Sequence, residues 1–315
     1  MDIAVRLEGG IGDHLLANRF VHALKEKYPN DNFIIFSDPS QDFGQLLFLK
    51  EFWPSVYKNA ILSPGRVSSQ FKIRSQFGEE VYNAAIENQP DSIKYLCERA
   101  DKFYDLCLDR MEWLDYDFDW FRYFYFFPKP EKQPVSDNPI NKPFILASLF
   151  SRQGSPYTME KEYVQELFKG MSALSHVVIV TTEENKSYYD FCVDNPAIEV
   201  RVTNLSETFY LASQCSAFIG MDSGVRCMPY YFGKPTFYFT PYCSEYGTSS
   251  VAHLVRWMVY ERNSLPMHFN LAKTLELLSN SISERNFPLF PFVPPQHRDN
   301  ILLKRIYKVP PLNSL

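Results

Sequence analysis

Asp222, Ser223 and Gly224 stand between an apolar run ending at Gly220 and a helical stretch that Gly233, Lys234 and Pro235 close. Amide N–H groups at a helix start satisfy phosphate oxygens, and the helix dipole adds about 0.3–2 kcal/mol for an anion there. A small-residue turn at the carboxyl end of a strand is therefore suited to a diphosphate. The plain alternative is a capping turn, which Asp, Ser and Gly also favour. Near the N-terminus the plan recurs with other letters: an apolar run, then Gly9, Gly10, Ile11, Gly12 and Asp13. The glycines let a backbone come close to a ligand. A carboxylate at Asp13 reaches over them past no bulky neighbour, although Asp is also favoured simply where a helix starts. His14 beside it is either a second titratable group or a packed residue of an amphipathic helix.

Two arginines offer the matching charge, because a guanidinium can neutralise a diphosphate bidentately. Arg152 follows the first strand of the second half, and Arg226 lies one turn into the helix after Asp222. Each is otherwise a solvated surface arginine. Glu183 and Glu184 follow a strand end, where carboxylates hold ribose hydroxyls or merely open a helix. Asp115, Asp117 and Asp119 alternate with aromatics, and paired carboxylates suit a hard cation. The aromatic tract 113–127 around them is suited to stacking on a sugar or base, or to packing at a domain junction. Gly10 and Gly12, with Leu15 at the third position, make an incomplete dinucleotide fingerprint, while Asp38 ends the second strand as a ribose-binding acid would. There is no phosphate-loop run, no GxSxG turn and no HExxH or paired-His zinc spacing.

Strands and helices must position these groups. Residues 3–7 read as a buried strand, and Leu15, Leu16, Phe20, Ala23 and Leu24 then recur at helical spacing until Pro29. Residues 33–36 read as a second strand and 104–108 as a further one, with short helical and extended pieces alternating over 41–110. Residues 128–143 hold five prolines and read as a linker. The second half then alternates strands at 144–149, 176–180, 198–202, 217–219 and 236–239 with helices at 160–174, 184–192 and 205–214. That alternation predicts parallel sheets. The expected domains are 1–135 and 136–285, with a tail, 286–315, that holds a helical piece at 299–307 and packs back on the first domain.

Composition bounds the rest. A chain of 315 residues allows about two domains. A formal net charge of -5 and a pI near 5.8 give no global nucleic-acid footprint, though a local basic groove stays open. The six cysteines form no CxxC pair, which points to free thiols in a reducing compartment. The first residues read as a strand rather than a leader, and no apolar run approaches the ~18 residues of a membrane span. The expectation is a cytoplasmic protein, with peripheral membrane contact left open.

The two landmarks together resemble glycosyltransferase family 9, the heptosyltransferase-like enzymes of the two-Rossmann GT-B fold. The first is Gly12-Asp13 opening a helix after strand one, with Leu24 and Tyr28-Pro29 following. The second is Gly220-Met221-Asp222-Ser223-Gly224 and then Gly233-Lys234-Pro235-Thr236, with Leu205-Ser206-Glu207 and Ala212 ahead of it. The middle of the chain is matched by element order.

The resemblance implies an α/β, GT-B-like fold of two Rossmann-like parallel-sheet domains facing each other across a cleft. The N-terminal domain would take the acceptor and the C-terminal domain the nucleotide sugar. It implies an inverting transfer of a hexosyl, heptosyl or pentosyl group from a nucleotide-diphosphate donor to an acceptor hydroxyl. Asp13 would be the general base, a role worth about 10²–10⁴ in rate, and His14 would tune or replace it. Gly12, Arg152, Glu183, Glu184, Asp222, Ser223, Gly224 and Arg226 would bind the donor, Asp222 through sugar hydroxyls. No metal or other cofactor would be required, so a fixed cation or dipole would meet the leaving charge. The acceptor is a saccharide of the lipopolysaccharide type by resemblance, or another hydroxyl-bearing molecule, including a modified nucleic-acid base.

Two positions depart from the family. Cys227 stands where it has His, and Ser151-Arg152-Gln153-Gly154-Ser155 stands where it has Lys-x-Trp. Both face the donor in the family, which leaves the sugar and the nucleotide open. Two other readings remain beside transfer by Asp13. One is a catalytically inactive nucleotide-binding protein of the same fold. The other is a metal-dependent glycosyltransferase using the Asp115 to Asp119 tract, because DxD triplets hold Mg²⁺ or Mn²⁺ on the donor diphosphate in single-Rossmann (GT-A) transferases.

Overall fold

The structure is a computed structural model. It describes residues 1–7, 9–37, 43–58, 60–62, 100–106, 127–150, 159–221, 223–240, 264–266 and 271–283. The chain divides into two compact units, Met1–Lys132 and Gln133–Leu315.

In the first unit, β1 (Asp2–Leu7), α1 (Ile11–Lys27), β2 (Asn32–Ser37), α2 (Phe43–Phe52), β3 (Ala60–Leu62) and β4 (Lys102–Asp105) follow in chain order. The strands form one sheet in the order β3-β2-β1-β4, and every pair is parallel. A parallel strand covered on both faces reads as a continuous apolar run, and Ile3, Ala4, Val5 and Leu7 are all buried. Residues 13–21 of α1 are buried without a break, so this part of the helix is covered on every face, and Ala23 and Leu24 extend the burial. The winding goes one way from β1 through β2 to β3, and β4 lies on the other side. The carboxyl end of β1 is thus a switch point, the place where open α/β sheets bind ligands.

The second unit holds β5 (Phe144–Ser148), α3 (Lys161–Leu174), β6 (His176–Thr181), a 3₁₀ helix (Glu183–Cys192), β7 (Ile198–Val202) and α4 (Leu205–Gln214). It continues with β8 (Ala217–Met221), a 3₁₀ turn (Gly224–Arg226), α5 (Cys227–Tyr230), β9 (Thr236–Thr240), β10 (Ser264–Pro266) and α6 (Leu271–Ser283). Its sheet runs β10-β9-β8-β5-β6-β7, again parallel throughout. The core gathers Ile145, Ala147, Val177, Ile179, Ala217 and Ile219 from the strands. Helix α3 adds Val164, Leu167, Phe168 and Met171, spaced to share one face. Here the winding reverses between β5 and β8.

Several boundaries differ from the sequence reading. β4 starts at Lys102 and closes at Asp105, while Leu106 only donates its N–H to the Arg6 carbonyl at 3.0 Å. The stretch after β6 is a 3₁₀ helix, and its buried Tyr189 and Cys192 stand three residues apart, as a three-residue turn requires. The Pro-rich linker is pinned at both ends. Trp53 Nε1 donates to the Pro128 carbonyl at 3.2 Å and Glu131 N donates to the Phe52 carbonyl at 2.8 Å. Arg201 Nη1 reaches the Asn138 carbonyl at 2.9 Å. The 299–307 piece, and the 286–315 tail with it, lies outside the described residues. Among the described residues no helix is long and apolar enough to cross a membrane.

Candidate active site

The first landmark is built on the turn between β1 and α1. Gly9 has φ 101°, in the left-handed region that an L side chain adopts at a cost. A Cβ on Gly9 would also lie 2.7 Å from Asp13 Cγ, so the carboxyl packs directly over the Gly9 backbone. Gly10 is the N-cap, with φ -74° and ψ 178°. Having no side chain, it leaves its capping to the third helical residue. Asp13 fills that place, and its Oδ2 accepts the Gly10 N–H at 2.8 Å. Asp13 is therefore not the N-cap residue itself but the reciprocal member of a capping box. The helix begins two residues earlier than the acid for this reason. Asp13 is 9% exposed and His14 1%. His14 Nδ1 lies 3.1 Å from the Gly10 carbonyl oxygen. Gly12, Asp13 and His14 thus share the first turn of α1, at the switch point of the first sheet. Leu15, in the place of the third fingerprint glycine, is wholly buried; Asp38 lies outside the described residues.

The second landmark joins β8 to α5. In the β5–β8 pair Gly220 lies opposite Ser148, and a Cβ on Gly220 would overlap the Ser148 carbonyl oxygen. That close approach lies where the winding reverses. Ser223 caps the 3₁₀ turn with extended backbone, and its carbonyl accepts from Arg226 N at 3.3 Å. The expected helix is short and irregular: a 3₁₀ turn followed by the four residues of α5. Pro229 accounts for this, since its ring crowds the carbonyl four residues back and it has no N–H to donate. Among the described residues, Ser223 Oγ is a buried polar atom with no hydrogen-bond partner.

Arg226 is 2% exposed, which overturns the reading of a solvated surface arginine. Cys227 is buried beside it. Glu183 and Glu184 are exposed in the first turn of the 3₁₀ helix, just past the carboxyl end of β6. Ser223, Gly224, Arg226 and the two glutamates all belong to the second unit. Arg152, Asp222 and the Asp115 to Asp119 tract lie outside the described residues. Among the described residues no group of three His, Cys, Asp or Glu side chains is placed to hold a metal ion. Sequence reasoning passed over Arg6, a buried cation at the carboxyl end of β1. Its signal is a lone charge inside an apolar run.

Two parallel sheets, each with its own switch point, make each unit a doubly wound α/β fold. The comparisons make that more specific: the chain has the fold of the heptosyltransferases. It is similar to the E. coli ADP-heptose LPS heptosyltransferase II at 13% identity and TM-score 0.59, over 90% of this chain and 99% of that one. It is similar to the E. coli heptosyltransferase WaaC with ADP at 12% identity and TM-score 0.55, over 89% and 99%. The same enzyme with ADP-2-deoxy-2-fluoro heptose gives 11% identity and TM-score 0.53, over 91% and 100%. No protein-family model and no curated protein sequence matches the chain.

Proposed function

We propose that this protein is an inverting glycosyltransferase that moves a sugar from a nucleotide diphosphate to an acceptor hydroxyl, with Asp13 as general base and no required metal. One observation carries the reading: a buried carboxylate fixed over a glycine turn at the switch point of the first sheet. In this account the acceptor hydroxyl gives its proton to Asp13 while its oxygen attacks the anomeric carbon. The C–O bond to the diphosphate breaks on the opposite face, which inverts the centre. Arg152 and Arg226 meet the charge that develops on the leaving diphosphate, together with the N–H groups after Ser223. Burial of Arg226 supports the role, because a held cation needs no reorganisation as charge develops. The unsatisfied Ser223 Oγ supports a polar ligand at the same turn, since buried hydroxyls are normally bonded.

In this reading residues 1–135 take the acceptor and 136–285 the donor. Glu183 and Glu184 hold ribose and Asp222 the sugar hydroxyls. The solved relatives carry ADP and an ADP-heptose analogue, so ADP-linked sugars are the first donors to try, with a lipopolysaccharide-type saccharide as the first acceptor. The buried cysteines Cys192, Cys215 and Cys227, none of them in a disulfide, suit the cytoplasm. The test is thermal shift with ADP-, GDP-, UDP- and CDP-sugars, followed by a transfer assay with the donor that binds. Cys227, buried where the family has His, favours the second reading of a nucleotide-binding protein without transfer. Donor binding with neither hydrolysis nor transfer would select it.

A further inference from the structure

We infer that His14 is a positioning residue for Asp13 rather than a second base; this rests on the base role proposed above. The Gly10 N–H donates to Asp13 Oδ2 at 2.8 Å. At the other end of the same residue, the Gly10 carbonyl receives His14 Nδ1 at 3.1 Å and the His14 backbone N–H, also at 3.1 Å. A carbonyl oxygen has two lone pairs and only accepts, so Nδ1 must carry a proton and donate. Neutral His14 is then the Nδ1–H tautomer, with its ring lone pair on Nε2.

Two consecutive side chains therefore hold the two peptide planes that flank Gly10. The angle between those planes is what φ and ψ of Gly10 describe, and glycine is the residue whose φ and ψ are freest. The Gly9–Gly10 turn is also the surface on which the Asp13 carboxyl rests, with Cγ 2.7 Å from the place of a Gly9 Cβ. Loosening the Gly10–Ile11 plane would let that carboxyl drift. A displacement of about 1 Å can cost 10²-fold in a positioned reaction. His14 offsets the freedom of the glycine turn and keeps Asp13 aimed.

The test has two arms on the full chain. In the first, ring ¹⁵N shifts report the tautomer of His14, assigned by its loss in the His14→Asn variant. The Nδ1–H form is expected, and the Nε2–H form would overturn the inference whatever the enzyme's activity. In the second, steady-state transfer is compared for His14→Leu, which has no donor, and His14→Asn, whose amide N–H falls near the place of Nδ1. The expected result is a loss in kcat of about 10- to 100-fold for Leu with donor KM within about twofold, and recovery to within about threefold by Asn. Equal loss in both variants would make the ring itself the proton acceptor. A folded Leu variant with unchanged kcat would leave it mere packing. Either result overturns the inference. If the Leu variant fails to fold, the tautomer and the Asn variant decide. Wild-type turnover in Asp13→Asn would remove the base reading and this inference with it, while the tautomer arm would still stand as measured.

Discussion

Gly220 and Ser148 face each other across the β5–β8 pair so closely that a Gly220 Cβ would overlap the Ser148 carbonyl oxygen. The phenyl Cζ of Phe218 would also be 2.9 Å from that Cβ. Backbone cannot yield as a flexible side chain can, so Gly220→Ala must push two central strands apart. We expect a loss of about 1–3 kcal/mol in urea unfolding, the usual range for overpacking a tight core. Donor affinity should weaken as well, because Ser223 and Gly224 follow closely on the end of β8. Unchanged stability would show that the strands have room to part.

Gly9→Ala should harm both fold and chemistry. The residue sits at φ 101°, where a side chain costs about 1–2 kcal/mol. Its new methyl would also displace the Asp13 carboxyl. Transfer should therefore fall further than the stability loss alone explains when it is assayed well below the melting temperature.

His22 makes a prediction about pH. Burial, partly opposed by Glu131 and Glu26, holds its imidazole down from 6.5 to about 4. The unfolded chain then takes up the proton first. Its stability contribution is complete above the unfolded value of 6.5 and is lost as pH falls toward the folded value of about 4. At pH 5 this amounts to ~2 kcal/mol. Urea melts at pH 7.5 and 5 should show a drop of that order in the wild type and a smaller one in His22→Gln. Equal drops would place the acid sensitivity elsewhere.

Chelation and donor binding are separate checks. Transfer should survive dialysis against EDTA, while dependence on added Mg²⁺ or Mn²⁺ would move the chemistry to the Asp115 to Asp119 tract. One nucleotide-diphosphate sugar should raise the melting temperature, since a ligand at 100 times its Kd stabilises by about 2.7 kcal/mol. Equal shifts from all four nucleotides would argue against a specific donor site.

The central strands Phe144–Ser148 and Ala217–Met221 were legible because a parallel sheet buries both their faces, whereas the three-residue strands Ala60–Leu62 and Ser264–Pro266 are too short to show a pattern. Ile198–Val202 and Leu205–Gln214 have the bounds their residues suggested. Local chemistry that depends on a partner was less legible. The start of α1 depends on a carboxylate three residues after a glycine cap, so it lies ahead of the acid that marks it. The helix after Ser223 reads as continuous in its apolar pattern, yet Pro229 breaks its hydrogen bonding. Burial of Arg226 cannot be read from a charged letter in a motif. The meeting of Gly220 and Ser148 joins residues far apart in the chain, and only sheet order reveals it.

Asp13→Asn tests the central claim most directly. The amide oxygen can still accept the Gly10 N–H, so the cap and the fold should persist within about 1 kcal/mol. Donor affinity should also be unchanged, whereas transfer should drop by at least about 100-fold. A folded Asp13→Asn enzyme that turns over near the wild-type rate would contradict the account.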